Sequence, residues 1–573
     1  MTARVFMGLA LGLITAAVAC NPMASPEEAA DLILVNGKVV TLDPEVGEVQ
    51  AVAVKDGRII VAGRNADVRD LVGRATEMID LDGRLAIPGF IEGHGHYLGF
   101  GQSLTILRLA EAGTWDEIVE MVAEAARETG PGEWIAGRGW HQEDWDPAPE
   151  RTVQGVPTHH ELSEVSPDNP VILTHASGHA SFVNARALEL AGIDRNTPDP
   201  EGGTIVRDED GEATGYLRQA AQGLASRARA RTEERLSPEE EEERFRLHVE
   251  LAGEQALAHG VTSFHDAGSN FAAIDGFRML ADEGSLPVRL YVMVRGESHD
   301  DMAEQLADYR LIGYANHFLT VRSIKTQIDG ALGTHGAWLL EPYDDLPESA
   351  GLPQRSPDDI RRTGEIALEH GFQVNTHAIG DRGNREVLDV YEALYGQAGD
   401  APDLRWRMEH AQHLHPDDIP RFGQLGVIAS MQGIHGTSDG PWVPPRLGEW
   451  RSRTGAYAWR ALIDSGAVIC NGTDVPVEPV SPVASYYASV SRMMTNGERF
   501  FPEQAMSRME ALESYTVNCA YAAFMEDELG TLAPGKLGDI VVLDRDILTI
   551  PEEEIPEARV DLTIVGGEVR YRR

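Results

Sequence analysis

The strongest constraint on the fold is an alternation. Between residues 85 and 472 short apolar segments recur, separated by stretches with the period of an amphipathic helix. The strand candidates are 85–87, 260–264, 288–294, 321–325, 372–377, 405–410, 427–431 and 467–472. Helical patterns such as 238–259 and 358–370 lie between them. Strands alternating with long helices predict βα units and a parallel sheet, and eight of them predict a closed (β/α)8 TIM barrel. In such a barrel the chemistry sits at the C-terminal ends of the strands.

The two chain ends read differently. Segments 32–40, 52–60 and 78–85 are apolar or alternating and carry the hairpin turns Asn36-Gly37, Asp56-Gly57 and Asp82-Gly83. Segments 538–544 and 560–571 repeat the pattern, with a turn at Gly566-Gly567. The expected organisation is a small β-sandwich built from both ends (32–87 and 525–573), with a barrel at 88–524 inserted between them. A stretch at about 113–231, with strands and turns of its own, reads as an inserted subdomain after the first barrel strand. The acidic run at 239–243 reads as a solvated helix face.

The first twenty residues read as an export signal. Arg4 precedes an apolar run at 5–18 that ends in Ala17-Val18-Ala19-Cys20, too short for a transmembrane span. The terminal cysteine resembles a bacterial lipoprotein signal with Cys20 as the lipid-anchor site. The expected location is then the outer membrane facing the periplasm, or a soluble periplasmic or secreted form if the leader is simply cleaved. Residues 21–31 read as a linker. Of the other cysteines, Cys470 and Cys519 lie in apolar surroundings and read as buried small hydrophobes, not as a disulfide framework.

Net charge narrows the partners. With 92 acidic and 49 basic residues the chain carries −43, which repels nucleic acid and anionic lipid. The acidity reads as solubility or a salty habitat, or as attraction for cationic substrates. A small-molecule substrate is expected, and a homo-oligomer is compatible with the sequence.

Side chains suited to metal chemistry fall at the predicted strand ends. His94 and His96 are spaced i, i+2, so both face one way on a strand and can share one metal. Lys325, His377, His410 and Asp474 close four further segments. Imidazole and carboxylate suit Zn²⁺ first, with Mn²⁺ or Fe²⁺ as alternatives. Asp474, at the last strand, suits both metal ligation and acceptance of a proton from the attacking water.

These motifs resemble the amidohydrolase superfamily, in its YtcJ-like family 3 branch. The likeness spans nearly the whole chain. It includes Pro88-Gly-Phe-Ile91, the segment at 178–184, Lys325 with Asp329-Gly330, His377-Ala-Ile-Gly-Asp381, Glu409-His410 and the closing segment at 530–539. Two positions depart from the pattern: Glu92-Gly93 replaces the commoner Asp-x before the first histidine, and Gln219 stands where many relatives have glutamate.

The resemblance implies two divalent ions held by His94, His96, Lys325, His377, His410 and Asp474. It implies that CO2 converts the Lys325 amine to a bridging carbamate. An unmodified ammonium would be repelled by two divalent cations, and Lys325 is one of only four lysines in a chain that otherwise uses arginine. The alternative is an ordinary lysine paired with Asp329 or Asp381 beside a single metal. His179, His335 and His435 are candidates for orienting substrate or an oxyanion. His141, His159, His160, His413 and His415 read as surface or structural. Trp134, Trp140, Trp145, Phe182 and Tyr97 either line an aromatic pocket or pack the insertion against the barrel.

The leading reaction is hydrolysis of an amide or N-acyl carbon–nitrogen bond. An ester, lactone, carbamate or cyclic imide is the alternative for the same site. A non-catalytic secreted binding protein on the same scaffold is the alternative from another class.

Overall fold

The computed structural model describes residues 29–147, 149, 152–232, 237–399 and 403–573. The export leader, Cys20 and most of the expected linker lie outside the described residues. The centre is an eight-stranded parallel barrel, with strands β1 Phe90–Gly95, β2 Val261–Ser269, β3 Arg289–Val294, β4 Leu319–Gln327, β5 Gln373–Ala378, β6 Arg407–His410, β7 Ile428–Gln432 and β8 Ile469–Gly472. Each pairs in parallel with the next, from β1 to β8. The seam between β8 and β1 carries no ladder. Thr473 donates its backbone N–H and hydroxyl to the buried Glu92 carboxylate there, and the Asp474 N–H donates to the His94 carbonyl at 2.8 Å.

Helices return the chain between strands and start where the side chains dictate. Pro238–Ala258 and Pro357–His370 both open with a capping box, Ser237 with Glu240 and Ser356 with Asp359, and both carry proline in the first turn. The acidic run at 239–243 is exposed on the first of these, as expected.

One barrel strand differs from the sequence expectation. Leu85–Pro88 belongs to the terminal β-structure, antiparallel to Ile540–Leu543, and the barrel begins at Phe90. Gly89 lets the chain change sheets: a Cβ there would stand 2.1 Å from Thr262 Oγ1. Segment 90–95 contains two glycines, a charge and a histidine, so it carries little strand signal. Gly93 is required by packing, since a Cβ would lie 2.4 Å from the Asn471 carbonyl.

Two sheets frame the chain ends. One has four strands in the order Arg58–Gly63, Ala51–Lys55, Leu32–Val35, Glu77–Asp80. The other has six, running from Glu568–Arg572 through Val560–Val565, Ile540–Leu543 and Leu85–Pro88 to Lys38–Val40 and Glu48–Val49. Leu34, Val52, Ile79, Val542 and Ile564 form one core between them. Arg289 on β3 ties this layer to the barrel. Its guanidinium donates to both Asp539 oxygens at 2.8 and 3.0 Å, and Asp539 also accepts the Gly566 N–H.

After β1 comes a separate six-stranded sheet. Its order is Gly203–Arg207, Ala213–Gln219, Ala180–Val183, Val171–His175, Ile135–Trp140, Leu107–Arg108. It therefore starts at Leu107, ahead of the expected 113.

The cysteine expectation is corrected. Cys470 on β8 and Cys519 on the helix Val517–Ala522 form a disulfide. Both are fully buried at the barrel floor, among Ile91, Tyr291, Ile428 and Leu537. They stand 49 residues apart, so only the closing of the barrel brings them together.

Candidate active site

The C-terminal strand ends open into a cavity of about 1630 Å3 whose roof is the inserted sheet. At its base Asp474 lies just past β8, with His96 Nε2 at 3.3 Å and His94 Nε2 at 3.6 Å from Oδ1. His410 Nδ1 stands 4.0 Å from Oδ2. Asp474 (φ +58°) and His410 (φ +76°) both hold left-handed backbone, which is costly for residues with a Cβ and characteristic of functional sites. Burial opposes the Asp474 charge, but hydrogen bonding to His96 and the nearby His94 and His410 rings hold its carboxyl well below the usual range.

Other side chains fix these rings. His94 donates from Nδ1 to the buried Glu409 carboxylate, which leaves Nε2 facing Asp474. Burial would raise the Glu409 carboxyl, but the pull of His94, Lys325 and Arg407 outweighs it and holds the pKa at about 2. His410 Nδ1 meets Gln432 Oε1 at 2.8 Å. Glu92 takes no part in this shell: it spans the barrel seam, and burial pushes its carboxyl up to about 8.

Lys325 projects from β4 with Nζ 3.3 Å from His94 Nε2. Neither Asp329 nor Asp381 pairs with it. Asp329 accepts the backbone N–H groups of Trp338, Ile379 and Gly380, and Asp381 accepts those of Leu340 and Arg382. Burial lowers the Lys325 amine to about 8, with Arg295 acting in the same sense.

The remaining candidates divide. His377, at the end of β5, is 4.5 Å from the His410 ring and 5.3 Å from the His179 ring, measured between centroids. His179 lines the cavity, and its Nδ1 meets Gln219 Oε1 at 3.0 Å. His435 also lines it, with Gln412 Nε2 at 3.3 Å from Nδ1. His335 does not reach the wall. It turns outward to Asp345, 3.2 Å away, and packs edge-on to Tyr343.

His141, read from sequence as structural, is a wall residue beside Trp442. Of the two readings of the aromatic residues, packing holds. Trp140, Trp145 and Phe182 pack with Trp115 inside the insertion, Tyr97 sits between Phe264 and Phe277, and the Trp134 indole donates to Thr232. Large aromatic surface is spent on closing the insertion's own core. Sequence reasoning also missed Arg138, His175, Asp266 and Arg295, all on the wall. Asp266 follows the predicted strand at 260–264 and could have been found there. The wall positions of Arg138 and His175 depend on how the insertion docks.

The donor set suits divalent metal. Ligand atoms of His94, His96 and Asp474 lie within 4.8 Å of one another, and so do those of His410, His435 and Asp474. His377 Nε2 and His435 Nε2 are buried without a hydrogen-bond partner. A buried polar atom without a partner is expensive unless a cation or another group completes it. His435, read from sequence as a candidate for orienting substrate or an oxyanion, thus also stands among possible metal ligands.

Comparison with known proteins agrees with this geometry. A family model described as the amidohydrolase family matches residues 77–571. The protein LONG AFTER FAR-RED 3 of Arabidopsis thaliana is 33% identical over 95% of this chain and 92% of its own length. The N-substituted formamide deformylase of Arthrobacter pascens is 30% identical over 95% of this chain and 98% of its own. A crystal structure of an uncharacterized metal-dependent hydrolase from Pyrococcus horikoshii superposes with a TM-score of 0.72 at 27% identity, covering 91% of this chain and 99% of that one. A barrel with these strand-end donors, matched by the family model over nearly its whole length, places the chain in the amidohydrolase family.

Proposed function

We propose that this amidohydrolase cleaves an amide or N-acyl carbon–nitrogen bond of a small molecule at a site for two divalent ions, zinc first. The observation that carries the reading is Asp474, a buried carboxylate shared by both donor groups. His94, His96, His377, His410, Asp474 and Lys325, the last as its carbamate, would hold the ions. The closeness of Lys325 Nζ to His94 Nε2, and the engagement of Asp329 and Asp381 elsewhere, support that role. The deformylase name of the Arthrobacter relative supports the choice of a carbon–nitrogen bond.

Bound there, the ions supply Lewis acidity, which makes water a nucleophile at neutral pH and polarises an acyl carbonyl. The protein's own groups do the rest. Asp474 accepts the proton of the attacking water at a carboxylate oxygen and returns it to the departing nitrogen. Glu409 and Gln432 keep the His94 and His410 rings in one orientation. His179 and His435 face the substrate from the wall, and the inserted sheet covers it from water. Export belongs to the same reading, with Cys20 lipidated or the leader simply removed. A buried disulfide is in keeping with an oxidising compartment.

The test is metal content together with turnover. Two ions per chain and hydrolysis of N-acyl substrates are expected. Asp474→Asn should lower kcat by about 10²–10⁴-fold, the usual worth of a general acid–base group. Metal-free protein after loading, or full turnover in Asp474→Asn, would refute the reading.

A further inference from the structure

The cavity wall holds a guanidinium that the chemistry above does not use. Arg138 lies on the inserted strand Ile135–Trp140 and lines the cavity, while Trp140, two residues on, is buried in the insertion core. Side chains two apart on a strand normally share a face. Here the ladder with Val171–His175 shifts register between Arg138 and Trp140, at Gly139 with φ +107°. Such a bulge re-aims a side chain and is over-represented beside active sites.

The guanidinium is left largely unengaged. Nη2 donates to the Ala176 carbonyl at 2.9 Å, and Nε is buried with no partner. No carboxylate forms an ion pair with it among the described residues. Two other arginines hold carboxylates, although Arg446 Nε, like Arg407 Nε and Arg492 Nη2, is also buried without a partner. Arg289 holds Asp539 and Arg446 holds Asp345, while Arg492, in the core, donates to the backbone carbonyls of Tyr457 and Phe500. Gly178 lies against the guanidinium: an added Cβ would stand in ordinary contact with it, 3.5 Å from Nη1. Burying an arginine without an anion is costly, and its planar fork matches a carboxylate in two parallel hydrogen bonds.

The cavity wall also carries Arg229, Arg244 and Arg295. Arg295, across from the insertion, gives Nη2 to Gln327 Oε1 at 2.9 Å and forms no ion pair among the described residues either.

We propose that the bond cleaved belongs to an amide carrying a free carboxylate, and that Arg138 receives that carboxylate. The proposal rests on the amide-hydrolase reading and narrows it to a substrate class: an N-acyl amino acid, or the half-amide of a dicarboxylic acid. Arg138 is a specificity residue, in contact with substrate and remote from the bond that breaks.

Two acid–amide pairs test it on the metal-loaded protein: N-acetylleucine with N-acetylleucinamide, and N-benzylsuccinamic acid with N-benzylsuccinamide. In at least one pair kcat/KM should favour the acid by about 10–100-fold, the worth of a charge-assisted hydrogen bond. Arg138→Gln should collapse that ratio through KM, and Arg138→Lys, which keeps the charge, should restore part of it. A wild-type ratio near one in both pairs, or a ratio unchanged in Arg138→Gln, overturns the proposal. If the loaded enzyme cleaves none of the four, the amide-hydrolase reading fails separately, and calorimetric binding of the two acids decides this one. Binding that weakens about 10-fold or more in Arg138→Gln supports it; no binding, or equal binding by the variant, overturns it.

Discussion

Glu409 shows how the site is held residue by residue. Its carboxylate accepts from His94 Nδ1 and so fixes which nitrogen of that ring is free for a metal. Partners of this kind are worth about 10–100-fold in metal affinity. Glu409→Gln, which keeps the shape and removes the charge, should weaken metal binding by about that factor in a chelator competition. Unchanged affinity would mean that His94 is held by packing alone. Lys325, His377, His410 and Asp474 were legible because each closes a strand-like run, and His94 and His96 through their i, i+2 spacing. Arg138 and His141 were not legible, because the insertion's docking sets their neighbours. His335 resembled a wall residue in sequence, but at φ +55° it turns outward to Asp345.

At the scale of elements, helix starts were readable from their caps, and strands from their apolar runs. The exception was Phe90–Gly95, whose glycines serve close packing at the cost of strand signal. Short helices around the barrel are joined by ion pairs. Glu510 caps Arg508–Ser514 together with Ser507 and pairs with Arg460 on Trp459–Asp464. Hydrogen bonding to Arg460, followed by Ser507 and offset by burial, lowers the Glu510 carboxyl from 4.5 to about 2. A carboxyl lowered by folding stabilises above its unfolded value, and that contribution is lost as pH falls toward the folded one. Glu510→Gln should therefore lower the unfolding free energy at pH 7 by about 1 kcal/mol, for a partly exposed pair, and the thermal midpoint with it. Its difference from wild type should narrow as pH falls from 4.5 toward 2. A gap that stays constant over that range would remove the ion pair as the cause.

At the scale of the molecule, the barrel was legible because its strands repeat, and the terminal sheets because their hairpin turns are explicit. The joints between them were not, since they rest on single residues far apart in sequence. Arg289 and Asp539 form one such joint, a buried pair 250 residues apart. Asp539→Asn leaves the guanidinium uncompensated and should cost about 3–5 kcal/mol in denaturant unfolding. A loss within about 0.5 kcal/mol, as at an ordinary surface site, would show that the joint carries no load. The Cys470–Cys519 bond is the other joint, and its placement has a temporal consequence. Neither sulfur meets solvent, so a thiol reductant has to wait for the barrel floor to open. In native buffer dithiothreitol should leave the bond intact, and in denaturant it should cut it no faster than the chain unfolds. The disulfide then works as a clock sealed inside the fold, and its reduction rate reads how often the whole barrel comes apart.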